Sequence, residues 1–310
     1  MASAYNASRL NSPPPFRKRV KRAARYAVLR VLAAPLALLP LTWASALGAA
    51  FGALAFALAR GERNKALESL RRAFPHQSEV ECTALARACF RHLGRSLFEL
   101  VCVAQLDRQV EQWVRWSPQD RAVLDAALAR KKGVVFVSGH LGSWELLARR
   151  VALAGYPCQT IAKETTDPRT TALIEKFRES AKLRSIWRGR SGAAKAMLRA
   201  LKAGQILGLL IDQDTDVQSV WVPFFGHAAK TPRAAADLAL RTGAAVVMGF
   251  CRREADGRYR LSMKELPTLG LQPEALTARM TEQIEAAVRA APEQWVWMHR
   301  RWKSAPPPAD

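Results

Sequence analysis

With 310 residues the chain has ample material for a large buried core, and 48 Lys+Arg against 26 Asp+Glu leave a formal net charge of +22. Such a balance seeks anionic partners: nucleic acid, an anionic lipid surface, or an acidic protein or substrate. The absence of any zinc-finger, RRM-like or homeodomain-like pattern argues against nucleic acid. Five cysteines (Cys82, Cys89, Cys102, Cys158, Cys251) with no C-x-x-C pair argue against a disulfide framework or zinc site and suit a reducing compartment.

Residues 1–30 form a basic tail, with "FRKRVKRAARYAVLR" at 16–30. The 29 residues that follow, 31–59, carry no charged side chain, a run longer than the ~20 residues a spanning helix needs, which predicts a membrane segment. A secretory signal with "ASA" at 44–46 as its cleavage site is the competing reading, but the apolar run continues to Ala59. Basic residues flank both ends, with Arg60, Arg63, Lys65, Arg71 and Arg72 on the far side, so charge selects no orientation. Pro35 and Pro40 would kink a helix here, which leaves a clean span and a bent segment in one leaflet both open. Residues 60–310 are then expected outside the bilayer core, as a helical lead-in over 60–116 and an α/β core over 117–303. Within the lead-in, Ser78 and Glu81 form a capping box and Leu85, Cys89, His92, Leu93, Ser96, Leu97 and Leu100 recur at helical spacing, which predicts a long helix to about Val103.

Helix and strand alternate from residue 117. "SPQDRAVLDAALARKKG" reads as a helix closed by Gly133, "VVFVSG" as a buried strand, and a helix follows to about Ala154. Strand "CQTIAK", helix "DPRTTALIEKFRESAK", helix "SGAAKAMLRALKAG" with a Ser cap, and strand "QILGLLI" come next. "TPRAAADLALRTG" reads as a helix with Thr231 as its cap and Pro232 at its first position, leading into "AAVVMGF". Apolar strands separated by helices predict an α/β fold with a mostly parallel central sheet covered on both faces. Sites in such sheets collect at the C-terminal strand ends, where His140, Lys163 and Asp212 fall.

In "VVFVSGHLGSWELLARR", at 134–150, an imidazole and a carboxylate follow a buried strand. If His140 lies in the turn and Gly142 folds the chain back, Glu145 can reach the ring, fix its tautomer and make it a general base. Alternatively, His140 caps the helix and Glu145 complements its dipole. Spacing alone leaves both open.

"SGHLGSWELLA" resembles the H-x-x-x-x-[DE] motif of glycerolipid acyltransferases. With "RRAFPHQS", "LKAGQILGLLIDQD", "VWVPFFGHAAKTP", "LALRTGAAVV" and "EQWVWMHRRWK", the chain is similar over residues 25–303 to the bacterial lipid A biosynthesis acyltransferases, which add lauroyl and myristoyl chains. The resemblance implies an enzyme on the cytoplasmic face of the inner membrane that moves a fatty acyl chain from acyl carrier protein, or acyl-CoA, to a hydroxyl of an anionic glycolipid. It implies His140, held by Glu145, as the base. The acyl thioester is a co-substrate, and the chemistry requires no cofactor, metal or acyl-enzyme. Lys163 and Arg178 match basic positions that could grip acceptor phosphate, and Asp212 and Asp214 match an acidic motif tied to substrate binding or ordering of the site. Thr231 and Arg233 open a helix whose N–H groups favour an anion. His227 reads as structural. Trp295, Trp297 and Trp302, with Arg300, Arg301 and Lys303, fit either an interfacial belt or ordinary aromatic packing. Where many members carry Asn before the His, this chain has Gly139, which widens the acceptor to a related glycolipid, a phosphatidylinositol mannoside or an aminolipid. A reading from a different class is a non-catalytic, basic membrane-surface protein in which His140 is only a cap.

Overall fold

The computed structural model describes residues 34–307; the basic tail and the first residues of the uncharged run lie outside them. Helix α1 (Leu41–Leu58) begins directly after Pro40, so that proline starts the helix rather than kinking it. Helix α2 (Arg60–Ala73) and the long helix α3 (Glu79–Val101) follow, the latter opened by the expected Ser78/Glu81 capping box. Two short helical turns, Val103–Arg108 and Val110–Trp113, lead to the two-residue strand β1 (Val114–Arg115). Helix α4 (Pro118–Ala129) is capped by Ser117, with Asp120 completing a second capping box.

The core then runs β2 (Val134–Ser138), α5 (Trp144–Leu153), β3 (Cys158–Lys163), α6 (Pro168–Glu179), β4 (Arg184–Arg188), α7 (Ala193–Lys202) and β5 (Ile206–Leu210). A separate antiparallel hairpin, β6 (Ser219–Phe224) and β7 (His227–Pro232), precedes α8 (Ala234–Thr242), β8 (Ala245–Arg253), β9 (Tyr259–Leu266) and α9 (Pro273–Ala290). The seven-stranded sheet has the order β1-β9-β8-β2-β5-β3-β4. All pairs are parallel except β8 with β9. This is the α/β class that the alternation predicts.

Strand β2 is buried at every position, because both sheet faces are covered. Its side chains alternate between two cores. Val135 and Val137 join Leu207, Val246, Met280 and Ile284 on one face; Val134 and Phe136 join Leu146, Leu147, Ile206 and Val247 on the other. The first core also takes in Phe56, Leu70 and Cys89, so the helical lead-in and the α/β unit share one hydrophobic interior.

Several local expectations are corrected. Thr231 and Pro232 do not open a helix: they end β7, paired with Val220 and Ser219, and Arg233 is the N-cap of α8. The turn Phe225-Gly226, both residues at positive φ, closes the hairpin and overrides the helix-start signal of Thr-Pro. The cap of α7 is Gly192 in the left-handed region, not Ser191. Trp295 and Trp297 are fully buried in the core, which rules out an interfacial belt at those positions. Strands β4 and β9 escape the hydrophobic pattern because they lie toward the sheet edges and carry alternating charge.

Candidate active site

The parallel register of β2 with β5 sets the site. Ser138 pairs with Leu210, so the positions two residues further on, His140 and Asp212, emerge side by side at the C-terminal edge of the sheet. Asp212 Oδ1 accepts from His140 Nδ1 at 2.7 Å, and Asp212 Oδ2 accepts from the His140 backbone N–H at 2.6 Å and from Trp295 Nε1 at 2.8 Å. Burial alone would raise the Asp212 pKa, but the His140 ring and these three hydrogen bonds hold it well below the usual carboxylate range. An ionised carboxylate can only accept, so Nδ1 is the donor in this pair and carries a proton. The amide nitrogen of Gln213 lies 3.3 Å from His140 Nε2 and 2.8 Å from His299 Nε2 and bridges the two rings. His299 is held neutral, its pKa pushed down to about 4 by burial and then by its neighbour His140. Trp144 meets the His140 ring edge to face.

Glu145 does not reach the imidazole. It forms a two-bond ion pair with Arg178, Nη2 to Oε1 at 2.5 Å and Nε to Oε2 at 3.1 Å, and Arg178 also donates to Ser185 Oγ. The expected His140–Glu145 contact is therefore corrected to His140–Asp212. The buried Asp212 and the half-buried Glu145 each need a partner, and the fold satisfies them separately, Asp212 by His140 and Trp295, Glu145 by Arg178. That arrangement also removes Arg178 from the phosphate grip expected of it, since the guanidinium is buried and engaged.

The loop 139–143 is held from three sides. The Gly142 N–H donates to Gln294 O, the Ser143 N–H donates to Cys251 O, and the Val296 N–H donates to His140 O. Gly142 has φ +60, and a Cβ there would lie 1.9 Å from Cys251 O, so only glycine fits. From behind, buried His92 on α3 meets Gly142 O at 3.2 Å. Gly139 faces Asp212: a Cβ on it would stand 3.0 Å from Asp212 Oδ2 and 3.1 Å from Ile284 Cγ2. A larger residue would crowd the carboxylate.

The remaining predicted positions divide. Lys163 ends β3, exposed. Asp214 is buried, accepts from the Ser304 N–H at 2.9 Å and lies 4.0 Å from Lys303 Nζ. Thr231 is buried and hydrogen-bonded to Arg301, while Arg233 is spent on Asp237 within α8. Neither forms an anion site at a helix start. His227 contacts Arg72 O and packs on Trp302. Gln213, Trp295 and His299 were not singled out by sequence reasoning as parts of the site. The only signal was that they lie inside the matching "IDQD" and "EQWVWMHRRWK" segments.

The His140 ring is thus bonded at Nδ1 to a buried carboxylate and faces Gln213 at Nε2, with its side chain 17% exposed. The family model for bacterial lipid A biosynthesis acyltransferase matches residues 14–304. The chain is 29% identical over 272 residues to the lipid A biosynthesis lauroyltransferase of Escherichia coli K12, covering 84% of this chain and 85% of that protein. It is 30% identical over 270 residues to the palmitoleoyltransferase of the same organism, with the same coverage. A phosphatidylinositol mannoside acyltransferase of Mycolicibacterium smegmatis is 25% identical over 57% of this chain and 59% of its own length. The chain belongs to the bacterial lipid A biosynthesis acyltransferase family, and it is an acyltransferase acting on a lipid acceptor.

Proposed function

We propose that this protein transfers a fatty acyl chain from a thioester, on acyl carrier protein or CoA, to a hydroxyl of a lipid A precursor or related glycolipid at the cytoplasmic face of the inner membrane. His140 is the general base and Asp212 the residue that positions it. The observation that carries the reading is the three-donor seat of Asp212, which leaves His140 Nε2 as the basic atom. Nε2 takes the acceptor's O–H proton as the oxygen attacks the thioester carbonyl. The resulting imidazolium is stabilised by Asp212. The tetrahedral intermediate then collapses with cleavage of the carbon–sulfur bond, and the departing thiolate recovers the proton from Nε2. The Gly142 and Ser143 N–H groups are committed to Gln294 and Cys251, so oxyanion donors come from the uncommitted first-turn N–H groups of α5. Gln213 occupies the place of the acceptor hydroxyl and gives way to it.

Lipid A is favoured over a mannoside acceptor because the lipid A enzymes align across 84% of the chain and the mannoside enzyme across 57%. Five free cysteines, all buried, agree with a cytoplasmic setting.

The test is transfer by purified protein from acyl carrier protein thioester, with product identified by lipid mass spectrometry. His140→Ala is expected to lower kcat by about 10²–10⁴, Asp212→Asn by a comparable factor with KM little changed, and Glu145→Gln by much less. Retained transfer in His140→Ala would overturn the mechanism. A greater loss in Glu145→Gln than in Asp212→Asn would return the carboxylate role to Glu145.

A further inference from the structure

Helix α1 is apolar all round, yet only half of it is covered. Leu41, Ala44, Ser45, Gly48, Ala49, Gly52 and Phe56 are buried against the protein. On the opposite face Trp43, Leu47, Phe51, Leu54 and Leu58 form an uninterrupted exposed stripe, with Trp43 at 68% and Leu58 at 72% exposure. The spacing of four, four, three and four places these five on one side of the helix. A stripe of large apolar side chains along ~22 Å of helix is far more than scattered surface hydrophobes explain.

Composition alone admits a membrane span; packing opposes it. Helix α1 runs antiparallel to α3 and touches it along its whole length. Just before α1, Leu36 O accepts from Cys102 Sγ at the C-cap of α3; within α1, Ser45 Oγ accepts from Arg95 Nη1 and Phe56 meets Phe90 edge to face. The backbones meet closely at glycines: a Cβ on Gly48 would lie 2.4 Å from Gly94 O, and one on Gly52 would lie 2.1 Å from Phe90 O. A perpendicular α1 would carry α3 into the hydrocarbon with it. That helix bears Arg87, Arg91 and Arg95, each costing about 2.5–3.5 kcal/mol at the bilayer centre, together with the sheet docked behind it.

We infer that α1 is an in-plane membrane-docking helix. Its Trp43–Leu58 stripe lies in the headgroup–acyl boundary of one leaflet of an anionic bilayer, and no part of it crosses. Charge selects this occupant. The stripe holds no ionisable group, whereas the sequence before it contains seven Lys/Arg and no acidic residue over 16–30, and Arg60 and Arg63 follow it. The inference deepens the proposed membrane setting, but its test reads position and not transfer.

Single cysteines replace Trp43, Leu47, Phe51, Leu54 and Leu58 in the full chain and are spin-labelled. The native cysteines are buried, so the label goes to the introduced thiol. With phosphatidylglycerol/phosphatidylethanolamine vesicles, all five labels are expected to become oxygen-accessible at one common depth of about 5–10 Å, while a label at Arg91 stays in the aqueous or headgroup zone. A depth changing progressively by ~20 Å between positions 43 and 58, the rise of that helix length, would establish a span and overturn the inference. Labels unchanged by vesicles would also overturn it, showing the face covered by residues 1–33 or by a second copy. As a check independent of labelling, Leu47→Glu with Phe51→Glu is expected to weaken vesicle partitioning at least about tenfold, the loss of one large side chain's burial; undiminished partitioning by the folded variant counts against it. A chain that docks in plane but transfers nothing defeats only the catalytic reading.

Discussion

At the scale of single residues two positions around the site, Gly142 and Trp295, differ in what they tolerate. Gly142→Ala meets two obstacles together, a Cβ inside the contact radius of Cys251 O and a φ of +60. The loop must break its bonds to Gln294 and Cys251 to accept it, so the variant is expected to lose more than ~1 kcal/mol of stability and most transfer activity. Urea unfolding beside a transfer assay measures both. Trp295→Phe keeps the aromatic bulk but deletes the indole donor to Asp212 Oδ2. Its expected cost is about 1–3 kcal/mol, as for a buried acceptor losing a partner, with a fall in kcat exceeding any rise in KM. Steady-state kinetics that show KM alone changing would exclude indole support of the Asp212–His140 pair. His140 was legible from its place after a buried strand. Its carboxylate partner was not, because Asp212 is 72 residues away in sequence and only the β2–β5 register brings the two together.

At the scale of elements, α3 both carries α1 and braces the 139–143 loop. His92 reaches Gly142 O, Ser96 hydrogen-bonds Tyr259, and Glu99 is buried against Arg253 and Tyr259. Burial, and then the positive charge of Arg253, push the His92 pKa down to about 3 against the raising effect of its bond to Gly142. An unfolded histidine titrates near 6.5, so between pH 6.5 and 3 the unfolded chain binds the extra proton. The contribution is fully present above pH 6.5 and is lost as pH falls toward 3, at about 1.4 kcal/mol per unit. His299 adds the same sign down to about pH 4. Urea unfolding at pH 5, 6 and 7 is expected to show this decline, and His92→Gln to flatten it by about one histidine's share. The long helices and their capping boxes at Ser78 and Ser117 were plain in the sequence, since local chemistry alone fixes them. The β6–β7 hairpin was hidden because Thr231-Pro232 mimics a helix start, and only pairing with Ser219 and Val220 decides otherwise.

At the scale of the whole molecule, the α/β class followed from strands too apolar to face water and from the helices between them. What the pattern could not convey was how the C-terminal segment is used. Trp295 and Trp297 looked like surface anchors or packing aromatics, and burial resolves them as interior. Likewise the uncharged run at 31–59 gave no hint that one face of α1 is occupied by α3, because hydropathy counts residues without regard to what lies beside them.

The bridge between Leu141 and Trp295 has a consequence for biosynthesis. His140 leaves the ribosome more than a hundred and fifty residues before the indole that steadies its carboxylate. A nascent chain can therefore expose α1 and the strands before β9 while the 139–143 loop still lacks its clamp from the C-terminal segment.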